Sequence, residues 1–132
     1  YKTLKIAIGG TGTFITLLSL IVGGIGVMNI MFVSVKERTR EIGVRKAIGA
    51  TKGMIMSQFL MEAVTICLLA GLLGLLFAYI GSFLLNKVFP SNLDLSLAIF
   101  SILISMIVGV ISGIIPSYRA AKLDPIDSLR YE

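Results

Sequence analysis

Side chains able to do covalent or acid/base chemistry are few here and badly placed for it. The 132 residues contain no histidine, one cysteine (Cys67), and seven carboxylates scattered among twelve lysines and arginines. General acid/base catalysis needs a group whose pKa lies near the working pH, within hydrogen-bond reach of the reacting proton. Covalent catalysis needs a nucleophile beside such a base, and a zinc-type shell needs converging Cys, His or carboxylate donors. None of these sets can be assembled, so the expectation is a chain that is not an enzyme, with no catalytic, cofactor-binding or metal-ligating residue. Gly9, Gly10, Thr11 and Gly12 have the glycine content of a phosphate loop. A phosphate loop continues with Lys-Ser or Lys-Thr, whereas an apolar run follows here, so the glycines read as helix fraying or packing. Cys67, alone in an apolar stretch, builds no disulfide framework.

The charged residues gather in two places instead. Lys36, Arg38, Arg40, Arg45, Lys46 and Lys52 face only Glu37 and Glu41 in the first cluster, and the second runs from Arg119 to Glu132. Between Lys87 and Asp94 there is one charge of each sign. A nucleic-acid surface would interleave aromatic rings for base stacking, and these clusters do not, so no nucleic-acid partner is expected. Basic loops beside apolar segments are explained by membrane topology and by anionic lipid.

The elements between the clusters carry that reading. Ile6–Val35, Ala63–Asn86 and Leu95–Tyr118 are uncharged, and each exceeds the roughly 20 apolar residues that cross a bilayer. Hydrophobic residues make up 56% of the chain and charged residues 14%, far from the balance of a water-soluble domain. The expected fold is all-α integral membrane, a single domain over 1–132: three transmembrane helices with a short cytoplasmic coupling helix and a short C-terminal helix. Spans are expected at about 6–36, 55–86 and 95–118, with a cytoplasmic loop at 37–54 and a cytoplasmic tail at 119–132. The positive-inside rule then sets the N-terminus outside and the C-terminus inside. Lys2 and Lys5 run against that rule, and a preceding segment would fix the orientation before they emerge. The start at Tyr1 and the lack of a cleavage site after a short apolar core read as a piece of a longer protein rather than a signal peptide.

Local signals refine the elements. Gly9, Gly10 and Gly12 predict a frayed or bent outer entry to the first span, while Lys36, Glu37 and Arg38 continue that helix into the cytosol. Asn29 is expected to bond to a neighbouring helix. A short helix over roughly Arg40–Ile48 ends at a Gly49 C-cap, and Thr51 caps the next helix. Gln58 and Glu62 share a face, and a loop Arg or Lys is expected to pair with Glu62. Pro90 and Asn92 mark an outer turn, with Asp94 capping the third span. Ser101, Ser105, Gly109, Gly113 and Ser117 form one small face on that span, and Ala70, Gly74 and Ala78 a similar row on the second. Such rows serve helix packing within the subunit or a dimer seam. Pro116 should loosen the inner end of the third helix. Asp124 as N-cap, Pro125 at the first helical position and Asp127 in the first turn begin the terminal helix.

Two stretches carry a resemblance. Val35–Thr51, reading VKERTREIGVRKAIGAT, is similar to the loop of FtsX-like permeases, where a span is followed by E-R-x-x-E-I-G-x-x-[RK]-A-[IL]-G-A. Pro116–Arg130, reading PSYRAAKLDPIDSLR, resembles the same family's P-x-x-x-A-x-x-x-x-P-x-x-x-L-R ending. Gly23–Gly26 and Asn29–Met31 lean toward MacB-type members. The chain thus resembles the C-terminal three-span portion of a MacB/FtsX-like ABC transporter permease of the bacterial plasma (inner) membrane.

The resemblance implies a four-span permease whose first span and large extracytoplasmic domain lie upstream. It implies a homodimer or heterodimer working with an ABC ATPase, fused or separate. ATP and Mg would bind at that ATPase and no cofactor at this chain, with a membrane-fusion or adaptor protein and membrane lipid as further partners. The spans would transmit ATP-driven motion for export of drugs, peptides or other amphipathic compounds. Control of a cell-wall hydrolase by a signalling scaffold and lipoprotein release are the alternatives within the family, and a small membrane protein without an ATPase lies outside it. The implied coupling segment is Arg38, Glu41, Ile42, Gly43, Val44, Arg45, Lys46, Ala47, Ile48 and Gly49. In it Ile42, Val44, Ala47 and Ile48 supply apolar contact to the ATPase, and Arg38, Arg45 and Lys46 pair with acidic rims or lipid headgroups. Arg119, Asp124, Pro125, Leu129 and Arg130 form a C-terminal cytoplasmic contact, although a solvated tail and a purely topogenic loop explain the same charges.

Overall fold

The computed structural model describes residues 1–88, 90 and 92–130. The expected outer turn therefore includes Phe89 and Ser91, which lie outside the described residues, as do Tyr131 and Glu132 of the tail. Five helices follow in order: α1 Lys2–Glu37, α2 Thr39–Ala47, α3 Lys52–Leu85, α4 Leu95–Lys122 and α5 Pro125–Arg130. Three of them, α1, α3 and α4, are long and apolar enough to cross a membrane, and the chain is an all-helical membrane protein.

The helix α1 passes through its glycines without fraying, contrary to the expectation. The Thr11, Thr13, Thr16 and Ser19 hydroxyls donate to the carbonyls four residues back, at 2.6–2.9 Å. Polar groups in an apolar surrounding are thereby satisfied inside the helix, which removes any reason to open it. At the other end α1 continues through Lys36 and Glu37, as the charges suggested, and bends at its C-cap Arg38. Arg38 leaves the helical region (φ −99, ψ 11), and the Thr39 hydroxyl donates to the Lys36 and Val35 carbonyls at 2.8 and 3.0 Å.

The α2 end has the two bonds of a Schellman turn: Gly49 N–H to the Lys46 carbonyl (3.1 Å) and Ala50 N–H to the Arg45 carbonyl (3.0 Å). Gly49 takes φ +116, a conformation that only glycine adopts readily. Thr51 then starts α3, its Oγ1 accepting from Met54 N–H at 3.3 Å. Asp94 occupies the N-cap position of α4, but its carboxylate accepts from the Ser96 hydroxyl (2.8 Å) rather than from a helix N–H. Pro116 does not end α4. The helix continues to Lys122, because Pro116 lies among buried neighbours, Gly113, Ser117 and Ala120, that hold the backbone in place.

Helices α3 and α4 pack along a seam of small residues. A Cβ on Gly113 would lie 2.6 Å from the Ala63 Cβ, and one on Gly109 would lie 3.0 Å from both the Cys67 Cβ and the Val64 Cα. Farther along, the Ser105 hydroxyl donates to the Cys67 carbonyl at 2.6 Å. The α3 row in this seam is Ala63, Cys67 and Gly71; Ala70 and Gly74 are exposed, with nothing within 4 Å of a Cβ built on Gly74. Helix α1 leans on α4 at Gly24, where a Cβ would meet Ser112 Oγ at 2.9 Å. Asn29 is exposed and bonds to no neighbouring helix among the described residues, so the expected interhelical bond is not made.

The core sits at one end. Met31 and Val35 of α1, Ile42 of α2, Ile55, Phe59 and Ala63 of α3, and Ala120 of α4 form one buried cluster where the charged residues also gather.

Candidate functional site

Helix α2 lies across this charged end and is fixed from three sides. Ile42, 2% exposed, enters the core. Gly43 lies against the tail: a Cβ there would stand 2.6 Å from the Ser128 Cβ and 3.4 Å from the Pro125 carbonyl oxygen. Lys46 reaches the end of α4, its Nζ donating to the Ala121 carbonyl and, at 2.6 Å, to the Leu123 carbonyl. The last carbonyls of a helix have no partner within it and carry the negative end of its dipole, so an ammonium there caps α4. Burial pushes the Lys46 pKa down and the Lys52 charge adds to that, while Asp124 opposes it.

Arg38, at the bend between α1 and α2, ties α2 to α3. It donates to Glu41 at 3.2 and 3.3 Å and to Glu62 at 3.2 Å, and it lies over the Phe59 ring at 5.5 Å. The Glu41 hydrogen bonds raise its pKa above the usual arginine value, and the Glu62 charge adds to this against some burial cost. The reciprocal bond from Arg38 holds Glu41 below the ordinary carboxylate range. Arg45 donates to Glu41 at 2.7 Å and to Gln58 Oε1. Glu62 and Gln58 are thus both satisfied from the loop, as their shared face predicted for Glu62.

These contacts redistribute the residues that the sequence grouped together. Ile42, Gly43 and Lys46 pack inside the chain, while Arg38 and Arg45 pair with Glu41, Glu62 and Gln58 and keep a third or more of their side chains exposed. The outward side of α2 is apolar: Val44 is 41% exposed and Ile48 82%, with Ala47 exposed between them. Beside it a cleft of about 370 Å³ opens, lined by Arg45, Ile48, Gly49, Ala50, Met54 and Gln58. An apolar face rimmed by arginine and glutamine is suited to receive a protein surface.

The tail folds back on α2. Asp124 Oδ1 accepts from Ile126 N–H at 3.0 Å, and the Asp124 carbonyl accepts from Ser128 through both its N–H (2.9 Å) and its hydroxyl (2.7 Å). Ser128 is 2% exposed, whereas Leu129 and Arg130 remain exposed. The Arg119 guanidinium lies 4.9 Å from the centroid of the Phe32 ring on α1. Ser128, Phe32 and Phe59 were not singled out from the sequence. A six-residue helix has no period from which to read an inward face, and two phenylalanines in apolar spans look like any others.

Residues 13–125 match the family of FtsX-like permease C-terminal regions. The uncharacterized ABC transporter permease YknZ of Bacillus subtilis (strain 168) is 53% identical over 117 residues, which cover 87% of this chain and 30% of that protein. The macrolide export ATP-binding/permease protein MacB of Syntrophobacter fumaroxidans is 48% identical over 122 residues, covering 89% of this chain and 17% of the relative. Its namesake in Neisseria gonorrhoeae is 47% identical over 130 residues, covering 96% and 20%. The chain therefore spans between 17% and 30% of the length of these relatives.

Proposed function

The chain belongs to the FtsX-like permease family, and from that premise we propose that it is the part of an ABC transporter permease that takes up force from an ATPase and passes it to the spans. The outward face of α2, with Val44, Ala47 and Ile48 beside the cleft at Met54, docks on the ATPase. The inward face converts that contact into motion: Ile42 bears on the α1–α3 core, Gly43 on α5, and Lys46 on the end of α4. A displacement of α2 therefore reaches all three long helices at once. ATP and Mg belong to the ATPase, fused or separate, in this reading.

The charged end faces the cytoplasm and Tyr1 the outside, following the excess of Lys and Arg in that loop. The permease works as a dimer in the bacterial plasma membrane. Its cargo is an amphipathic compound such as a drug or peptide, a proposal motivated by the macrolide export named for the MacB relatives.

One observation carries the proposal: α2 divides cleanly, with its inward residues locked to four other helices and its apolar outward residues left uncovered. The experiment uses the intact protein with its ATPase and compares Val44→Glu and Ala47→Glu with wild type. Each charge placed on a docked apolar surface should weaken association, or coupled ATP hydrolysis for a fused ATPase, by about tenfold or more. Unchanged association and unchanged ATP-driven activity in both variants would sink the docking.

A further inference from the structure

An apolar cleft of about 340 Å³ opens on the outer surface between α1 and α4, lined by Leu20, Gly24, Ile25 and Met28 on one side and Ile111 and Ile115 on the other. One helical turn beyond Met28 and Ile115, toward the charged end, stand Phe32 and Arg119. They are in contact, with the guanidinium 4.9 Å from the ring centroid, so the apolar cleft runs directly up to a cation. Arg119 is the first charge after the uncharged stretch Leu95–Tyr118 of α4. At about 1.5 Å per residue that stretch exceeds the roughly 30 Å hydrocarbon thickness, which brings Arg119 to the level of lipid headgroups.

Arg119 is exposed and has no ion pair or side-chain hydrogen bond among the described residues. Its neighbours on the same face offer no carboxylate: Lys122 lies over the Tyr118 ring at 4.9 Å. Lys36, one turn beyond Phe32, lines a separate pocket together with Asp127 and Thr39, which leaves Arg119 as the cation next to the cleft. Stacking on Phe32 holds one face of the guanidinium and leaves its edge donors free for oxygen ligands in a fixed fork, the geometry that suits phosphate.

We propose that the α1–α4 cleft binds a phospholipid with an anionic headgroup, its acyl chain lying along Leu20–Met28 and its phosphate on Arg119. The order of the site, apolar at depth and cationic at the rim, is the order of the ligand. The volume agrees, since it lies at the lower end of the range for ligand pockets. The cleft shares no lining residue with the outward side of α2 or the pocket beside it, so this site stands whether or not α2 meets an ATPase.

The test is native mass spectrometry of the full-length protein in detergent, titrated with phosphatidylglycerol and with phosphatidylcholine of the same acyl chains. Wild type should retain phosphatidylglycerol preferentially. Arg119→Gln should cut that retention by about fivefold, toward the phosphatidylcholine level, as expected for loss of one cation at the membrane surface. Arg119→Lys should keep part of the preference. Ile25→Trp, which fills the cleft, should lower retention of both lipids. Equal retention of phosphatidylglycerol by wild type and Arg119→Gln would overturn the assignment, and that arm does not depend on how Ile25→Trp folds. Efficient crosslinking of Ile25→Cys to another protein helix would also overturn it, by giving the cleft to protein.

Discussion

Phe59 and Phe14 are the same residue on two apolar spans, yet Phe59 is 1% exposed among Met31, Ile55 and Ala120, and Phe14 is 67% exposed on α1. The contrast extends to the regions around them. At the charged end four helices share a core, a set of ion pairs and a capped helix terminus. At the opposite end of α1, every residue from Lys2 to Ser19 is exposed, and a Cβ on Gly9, Gly10 or Gly12 would meet nothing within 4 Å. Lipid is as apolar as a leucine side chain, so burying apolar surface gives spans no reason to associate at depth. What holds helices together there is close approach at small residues or a hydrogen bond, as at Gly109, Gly113 and Ser105. The half of α1 before Leu20 has neither with another helix among the described residues. The charged end has both, and also borders water, where burial itself stabilises.

The largest expected effect tests that contrast directly. Phe59→Ala should destabilise the intact protein by about 3 kcal/mol, the range for emptying a packed aromatic site, while Phe14→Ala should change little. Denaturant titration in detergent, followed by circular dichroism, reads both. Equal losses would mean that the half of α1 before Leu20 is packed as tightly as the core.

Next comes Gly43→Val. Its branched side chain must displace Ser128, so about 2 kcal/mol of overpacking is expected, with the tail helix detached. Spin labels on α2 and α5 should report a widened separation, while Gly10→Val, in open space, should leave the fold alone. Lys46→Met ranks below it. Removing the ammonium from the Ala121 and Leu123 carbonyls should cost about 1.5 kcal/mol, the range for charge-assisted bonds, and raise amide exchange at the end of α4. Exchange unchanged from wild type would show that solvent caps those carbonyls equally well.

What the sequence made legible follows the range of the interactions. Three helices long and apolar enough to span, the turn at Gly49, the Thr51 cap and the Asp124–Pro125 start depend on nearby residues alone, and the structure has each of them. The pairing of Glu62 with a loop arginine was also readable, since a carboxylate beside a span needs a cation and the loop supplies several. The orientation of α2 was not. Ile42, Val44, Ala47 and Ile48 look alike in so short a segment, and only the positions of the other helices decide which enter the core. The same limit explains the small-residue rows on α3. Ala63, Cys67 and Gly71 share the four-residue spacing of Ala70, Gly74 and Ala78, and spacing does not say which row meets α4. Pro116, expected to loosen α4, lies inside the helix, which runs on to Lys122.

The smallest effect concerns the ion pairs, and it separates their share of the charged end's cohesion from that of packing. Arg38 and Arg45 both bond to Glu41, and the Arg38 bond lowers the Glu41 pKa in the folded protein. A depressed carboxylate pKa means that the unfolded chain binds this proton more readily. The stabilisation is therefore full above the unfolded value and disappears as the pH falls through the lower, folded one. Glu41 and its partners are a third or more exposed, so water screens them and the amount is small, about 0.3 to 0.5 kcal/mol. The acid side of a stability–pH curve should accordingly be slightly less steep in Glu41→Gln than in wild type, with the two differing most near neutral pH. Superimposable curves would assign the rigidity of this end to Phe59, Ile42 and the Gly43–Ser128 contact alone, and would leave the arginines with orientation rather than stability as their role.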